Sequence, residues 1–167
     1  MNDERGEARF LDLVGGLDAA MLTTRALNGD LRARPMALGR ADNDGTLWFA
    51  TSLDSRKVDE IRRHSEVNVS FQGPGRFLSL SGRAEILDDH ALLDSLWSES
   101  WGPWFPEGRS DPELRVLKVE GRRGEYWDMA DSLHFSFLLR SGRTLVETEP
   151  VDRGGSSAAW GRTETDR

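Results

Sequence analysis

LNGDLRARPMALGRADNDGTLWFATSLDSRKVDEIRRH, residues 27–64, changes its periodicity from strand to helix, and that change decides the fold class. Asn28-Gly29 is the dipeptide that a tight type I′ hairpin turn prefers, because both central residues there need positive φ. It joins a strand over residues 19–27 to a second over 31–40. Pro35 has no N–H to give to a ladder, so the second strand is either an edge or interrupted at that point. Asp42-Asn43-Asp44-Gly45 turns the chain again into an apolar strand over 46–50. Beyond it Val58 and Ile61, set among charges, predict a helix that Asp54 or Ser55 can cap.

Outward from this stretch the pattern stays strand-rich. On the N-terminal side, Phe10, Leu11, Leu13, Val14 and Leu17 fall at helical spacing within residues 7–17, and Gly15-Gly16 ends that helix early. On the C-terminal side, a strand over 67–71 closes at Gly73-Pro74-Gly75, and residues 76–87 alternate well. Asp88-Asp89 reads as the cap of a helix through Ala91, Leu92, Leu93, Leu96 and Trp97 rather than as a pair of catalytic carboxylates. A loop rich in Gly, Pro and Trp spans 98–112, and 114–127 is a last long strand bent at Gly121 or Gly124. Residues 133–139 suit a strand or a short helix, with Ser141-Gly142 turning it back. From Asp152 there is little to bury, which predicts a mobile tail. The expectation is a mainly β, mostly antiparallel domain with peripheral α-helices.

Composition narrows the function. At 167 residues and 18.7 kDa the chain has the size of one domain. Cysteine is absent, which excludes disulfides, thiolate metal sites and cysteine nucleophiles. A net charge of -7 argues against general nucleic-acid binding, which needs a basic face. No apolar run approaches the roughly 18 residues of a membrane span. The charged start MNDERGEARF lacks the apolar core of a signal peptide, so a cytoplasmic protein without membrane contact is expected. His64, His90 and His134 share no metal-ligand spacing. A nucleophile elbow, a P-loop and a GxGxxG turn are all missing. Against this stand six Trp, of which Trp97, Trp101 and Trp104 lie close together. Such a concentration suits a core, an interface or the wall of a site for a flat ligand.

RARPM (32–36) and TSLDSRK (51–57) carry the chemistry. Ser55, Arg56 and Lys57 open the predicted helix, where the macrodipole disfavours cations. An anion held between their charges, the Ser hydroxyl and the free N–H groups resolves the conflict. A solvated charged turn is the plainer alternative. Arg34, on the neighbouring strand, adds a further charge. Together with the Trp excess, this points to a phosphate carrying a flat aromatic group.

RARPM, DGTLWFATSLDSRKVDEIRR, VNVSF, SLSGRAEILDD, WFPEG with SDPEL, and GEYWD follow one another in this order. In that succession the chain resembles the pyridoxamine 5′-phosphate oxidase-like flavin-binding split barrels, in their bacterial general stress protein branch, from about Phe10 to Asp128. The resemblance implies a six-stranded antiparallel split barrel and a homodimer with FMN, or alternatively FAD, in two clefts at its interface. It assigns residues 1–130 to the barrel, 131–151 to an extension and 152–167 to the tail. It also implies that Arg34, Ser55, Arg56 and Lys57 hold the phosphate, that Pro35 and Met36 run along the flavin ring, and that Ala50 and Thr51 contact it. Trp127 would come from the partner subunit to lie against the flavin. Ser79 and Ser81 would approach the other subunit's cofactor, and Trp104 would wall the cleft, unless these Trp side chains simply pack a core.

Departures from the resemblance bear on activity. Where pyridoxamine phosphate oxidases hold substrate with Arg-Leu-His, this chain has Leu133-His134-Phe135. A later flavin-contacting Arg is Phe137, and a Lys five residues after Arg34 is Gly39. Without that Arg and Lys, a pyridoxal-type phosphate finds little grip. Three functions stay open at this point. One is an FMN-dependent oxidoreductase fed by a nicotinamide nucleotide or another small electron donor, in which the flavin supplies the chemistry. Another is a non-catalytic flavin-binding stress-response protein. The third, a haem-binding barrel, would need His134 or His64 as axial ligand.

Overall fold

The computed structural model describes residues 10–17, 19–140 and 143–147. Eight strands follow in chain order: β1 (Ala19–Arg25), β2 (Leu31–Ala41), β3 (Thr46–Ser52), β4 (Glu66–Gly73), β5 (Arg76–Leu87), β6 (Leu114–Asp128), β7 (Leu133–Arg140) and β8 (Arg143–Glu147). Helix α1 (Arg56–Arg63) follows β3, and α2 (His90–Leu96) with a single 3-10 turn (Glu99–Trp101) follows β5. Residues 10–14 are helical, and the Gly15 N–H closes that turn on the Leu11 carbonyl. No described helix is long and apolar enough to cross a membrane.

The strands hydrogen-bond in the order β3-β2-β1-β4-β5-β6, and β3 also pairs with β6, so six antiparallel strands close into a barrel. β7 and β8 continue the sheet outside it. One long strand serves both parts. The first half of β6 zips to β3 from Ser52↔Leu114 to Thr46↔Glu120, while the second half pairs with β7 from Arg123↔Leu138 to Asp128↔Leu133. The bend expected at Gly121 or Gly124 is a register shift opposite Ser81/Gly82, where β6 carries Arg122 as an extra residue. Gly82 permits it: a Cβ there would lie 2.2 Å from the Glu120 carbonyl oxygen. Residues 133–139, open between strand and helix on sequence, form a strand. Phe135, Phe137 and Leu139 from it are buried in the same core as the barrel. The turn expected at Ser141-Gly142 and the tail from Asp152 lie outside the described residues.

Alternation places the core. Val67, Val69 and Phe71 of β4 and Leu78, Leu80 and Ala84 of β5 point into the barrel with Leu22, Leu47, Phe49, Leu117 and Val119. The helical turn of residues 10–14 adds Phe10, whose ring meets Phe137 edge-on at 6.1 Å. β3 is buried on nearly every residue because both of its faces are covered. Leu47 and Phe49 face the interior, whereas Trp48 and Ala50 face a second, outer cluster built by Leu93 and Leu96 of α2, Trp101 and Val116.

β2 and β3 pair only at Leu38↔Phe49, Arg40↔Trp48 and Ala41↔Leu47. Before Leu38, β2 keeps β1 but leaves β3, and the two strands part. Pro35 lies in this released stretch. Of the two alternatives left by the sequence, the interrupted ladder is the one observed: β2 is not an edge strand. α1 begins directly below the split and buries Val58 and Ile61.

Candidate functional site

The split between β2 and β3 opens two adjoining hollows that share Arg34, Ser55 and Lys57. One is cationic, about 490 Å³, walled by Arg32, Ala33, Arg34, Ser55, Arg56, Lys57 and Glu60. The other is largely apolar, about 310 Å³, and adds Pro35, Met36, Ala37, Ala50, Trp104 and Phe105. Arg34 thus meets Ser55 and Lys57, far from it in sequence, because β2 and the β3-α1 turn form opposite lips of the split.

At the charged end, Arg34 is held from behind. Its Nη1 donates to the Leu22 carbonyl (3.2 Å) and to Thr24 Oγ1 (2.6 Å), and its Nη2 donates to Glu60 Oε2 (3.0 Å). Thr24 also donates to the same carboxylate oxygen. Both Thr24 and Glu60 are buried, so this network ties β1, β2 and α1 together behind the hollow. A buried carboxylate is tolerable only when paired and hydrogen-bonded, and Arg34 and Thr24 supply both conditions. Three of the five guanidinium N–H donors of Arg34 fit these contacts, which leaves capacity toward the hollow. Arg32 approaches the other oxygen of Glu60 at 3.5 Å from a half-exposed position.

Lys57 has a different setting. Its Nζ donates to Ser55 Oγ (2.6 Å) and Thr51 Oγ1 (3.2 Å) and enters no ion pair among the described residues. Burial first, and then the neighbouring Arg34, push its pKa below the ordinary lysine value, while Glu60 and Asp54 pull the other way. Two cations are therefore held close together, one of them partly desolvated, and Glu60 and Asp54 only partly offset them. Ser55 stands at the N-cap of α1 as expected, but its side chain does not cap the helix; its hydroxyl serves Lys57 instead. Arg56 is exposed at the rim of the hollow.

The apolar end is a slot between the released strand of β2 and the loop after α2. Ala37 and Ala50 floor it with small side chains, and Phe105 walls it. Trp104, 53% exposed, stands at its mouth. Beneath lies Trp101, fully buried and edge-on to Trp97 at 5.9 Å. Its ring occupies the space a side chain at position 39 would need: a Cβ on Gly39 would lie 2.5 Å from Trp101 Cζ2. The Lys of the oxidase pattern is thus absent here because an indole fills its place.

The structure brings together Arg34, Pro35, Met36, Ala50, Ser55, Arg56, Lys57 and Trp104, with Thr51 reached through Lys57. It does not bring Ser79, Ser81 or Trp127 to this cleft within one chain. Ser79 and Ser81 lie on the outer face of β5, where Asn68 Nδ2 donates to Ser79 Oγ at 2.9 Å. Trp127 pairs with Phe77 and stacks flat on His134, centroids 5.1 Å apart. His134 Nε2 is buried without a hydrogen-bond partner among the described residues. Sequence reading missed Glu60 and Thr24. A carboxylate next to Ile61 on a short helix reads as solvent-facing, and only the fold shows which guanidinium it meets.

The sequence pattern described as Pyridoxamine 5'-phosphate oxidase like matches residues 6–152. General stress protein 26 of Bacillus subtilis is 31% identical over 126 residues, which cover 72% of this chain and 86% of that protein. Protein bli-3 of Neurospora crassa is 31% identical over 113 residues, 60% of this chain, and the chain spans only 54% of its length. Among solved structures, the general stress FMN/FAD binding protein of Xanthomonas citri superposes with a TM-score of 0.64 at 26% identity, covering 78% of this chain and 93% of that one.

Proposed function

The chain belongs to the pyridoxamine 5′-phosphate oxidase-like family, and from that premise we propose that it is a flavin-binding protein of the general stress type that uses bound FMN for hydride or electron transfer. The carrying observation is the cationic pair itself. Lys57, half-buried and donating only to two hydroxyls, sits beside Arg34 with no carboxylate of its own. A phosphate monoester placed between them relieves their repulsion and restores the charge that burial penalises. Arg34, Ser55 and Lys57, with Arg56 at the rim, would hold the phosphate. Pro35, Met36, Ala50 and Thr51 would flank the ring, and Trp104 would cover it from the loop. These residues fit the group in both charge and shape: a cationic end joined to a slot with small side chains on its floor. When bound, the flavin supplies the redox chemistry, and the protein's part is to orient and shield it.

The slot takes its walls from β2, β3 and the loop after α2, and Trp127, Ser79 and Ser81 lie elsewhere on the chain. We read this as half a site, completed in a homodimer by those residues of a second copy. The plugged position at Gly39 and the Leu133-His134-Phe135 stretch leave no cation for a second phosphate on a pyridoxal-type substrate, so a nicotinamide nucleotide or another small donor is the expected reductant. A non-catalytic role as a flavin store or sensor is the alternative. The visible spectrum of the purified protein tests the core of the proposal: a flavin absorbance pattern that FMN restores after stripping is expected. Failure to bind added FMN would overturn it. Anaerobic bleaching of the bound flavin by NADH or NADPH supports turnover, and its absence with every donor tried supports the store. Light scattering of the flavin-loaded protein should give twice the chain mass; a flavin-bound monomer excludes the shared site.

A further inference from the structure

On the outer face of the barrel, β1, β4 and β5 meet β6 around a hollow of about 610 Å³. It shares no lining residue with either hollow of the cleft. Thr23, Asn68 and Ser81 stand directly opposite one another on β1, β4 and β5 and form a polar row along it. Arg25, His64 and Arg122 also line it. We propose that this hollow is a second ligand site that takes the phosphate ester of a sugar, with the phosphate between Arg25 and Arg122 and the sugar hydroxyls over the polar row. Neither arginine is assigned to the flavin cleft, and the inference does not rest on the flavin reading.

The backbone itself places one arginine. Regular pairing of β5 with β6 breaks at Ser81/Gly82, where Arg122 is the extra residue and has no partner on β5. Bulges re-aim side chains and gather beside functional sites, and this one sets Arg122 on the hollow next to Ser81 and Gly82. Arg25 comes from the end of β1 and makes no hydrogen bond or ion pair among the described residues. Glu66 on the same wall opposes them, but Arg83 engages its carboxylate at 3.2 Å. The local balance is therefore cationic in a chain of net charge -7. A carboxylate ligand is satisfied by one guanidinium fork, whereas the outer oxygens of a phosphate serve two forks and a hydroxyl at once. Asn68 spends its Nδ2 on Ser79 Oγ (2.9 Å) and Ser81 Oγ (3.4 Å). That leaves its carbonyl oxygen as an acceptor and the serine hydroxyl protons as donors, the complement of a sugar's hydroxyls. The volume is that of an ordinary small-molecule site.

Backbone amide resonances of the isotope-labelled full chain, followed during titration with inorganic phosphate, ribose and ribose 5-phosphate, test this site by site. Phosphate should shift Asn68, Gly82 and Arg122 saturably, with a midpoint separate from that of Ser55 and Lys57 in the cleft. Ribose 5-phosphate should bind the hollow about tenfold more tightly than phosphate, and ribose alone should leave it unmoved. Arg122→Ala should weaken binding in the hollow about tenfold and leave the cleft as it was, whereas Lys57→Ala should do the reverse. Arg25→Ala, which does not touch the bulge, should repeat the Arg122→Ala result. Shifts confined to the cleft, shifts at the hollow that never saturate, or the same shifts with sodium chloride would overturn the inference. So would equal affinity for phosphate and ribose 5-phosphate, or binding in the hollow that survives both arginine variants. If the hollow responds as expected while FMN fails to bind, the flavin reading falls and this inference stands.

Discussion

The two ends of the cleft are built on opposite plans. The charged end is a buried polar network: Thr24, Arg34 and Glu60 come from three elements and lock one another in place, and Lys57 is braced by two hydroxyls. The apolar end has little fixed chemistry. Its shape comes from packing beneath it, where Trp101 fills the room over Gly39 and α2 presses Leu93 and Leu96 against β3 and β6. One end thus carries selectivity through electrostatics and is complete within a single chain. The other carries shape. A ligand that is charged at one end and flat at the other meets both plans at once.

The comparison breaks most visibly at Trp101. Trp101→Ala should lower stability by about 3–5 kcal/mol, the usual cost of emptying a large buried site, and loosen the apolar end most. Urea unfolding gives the first number. Because the charged end stands on other elements, the preference for FMN over riboflavin should survive; its disappearance would show that the two ends are one unit.

Glu60→Gln comes next. Losing the charged partner of Arg34 should reduce stability by about 1.5–3 kcal/mol and narrow the preference for FMN over riboflavin as Arg34 loses its tether. Tighter FMN binding in that variant would mean that Glu60 only opposes the phosphate and does not position Arg34.

Lys57→Ala sharpens the contrast between the ends without touching the core. A charge-assisted contact of about 1.5–3 kcal/mol predicts a tenfold to hundredfold loss for FMN and almost none for riboflavin. Equal losses would count against the phosphate assignment. The same residue sets a pH dependence. Its lowered pKa means that, without ligand, its charge opposes folding at neutral pH, and this penalty fades as pH rises through the folded-state value. FMN binding has the opposite sign: affinity should fall on the alkaline side as the ammonium is lost, whereas riboflavin affinity stays flat. Calorimetry across that range, in buffers of different ionisation enthalpy, should also show proton uptake on FMN binding.

Trp104→Ala is the mildest. An exposed ring at the mouth contributes about 0.5–1.5 kcal/mol of stacking, and FMN and riboflavin should lose it equally, the mirror image of the Lys57 result. Fluorescence titration of both ligands reads it directly.

Most of the barrel was legible because its signals are local. The alternation of 76–87 and the turn at Gly73-Pro74-Gly75 each specify backbone geometry within a few residues; Asn28-Gly29 marked the hairpin but not its turn, which is not the expected type I′, because only Gly29 takes positive φ (93°) and its N–H closes on the Ala26 carbonyl around Leu27-Asn28. The cation cluster was legible for the same reason: Ser55, Arg56 and Lys57 are consecutive, and their conflict with a helix start is visible without a fold. Pro35 announced an interruption but not its place, since what matters is where β3 leaves β2. Residues 133–139 were ambiguous because a short apolar run has no clear period; pairing with β6 made it a strand. Glu60 and Thr24 carry no local signal, and their role exists only because the antiparallel order of β1 and β2, with α1 folded back over them, puts a threonine, an arginine and a carboxylate within hydrogen-bond reach. The absence of a lysine at position 39 was plain in the chain; that an indole from a loop more than sixty positions on takes its volume is a fact of packing. Sequence by itself determined the strands, the turns and the charges, because those obey short-range sterics and periodicity. Only the tertiary structure decided which charges face one another and what fills each gap, because burial and pairing are set by chain closure over long separations.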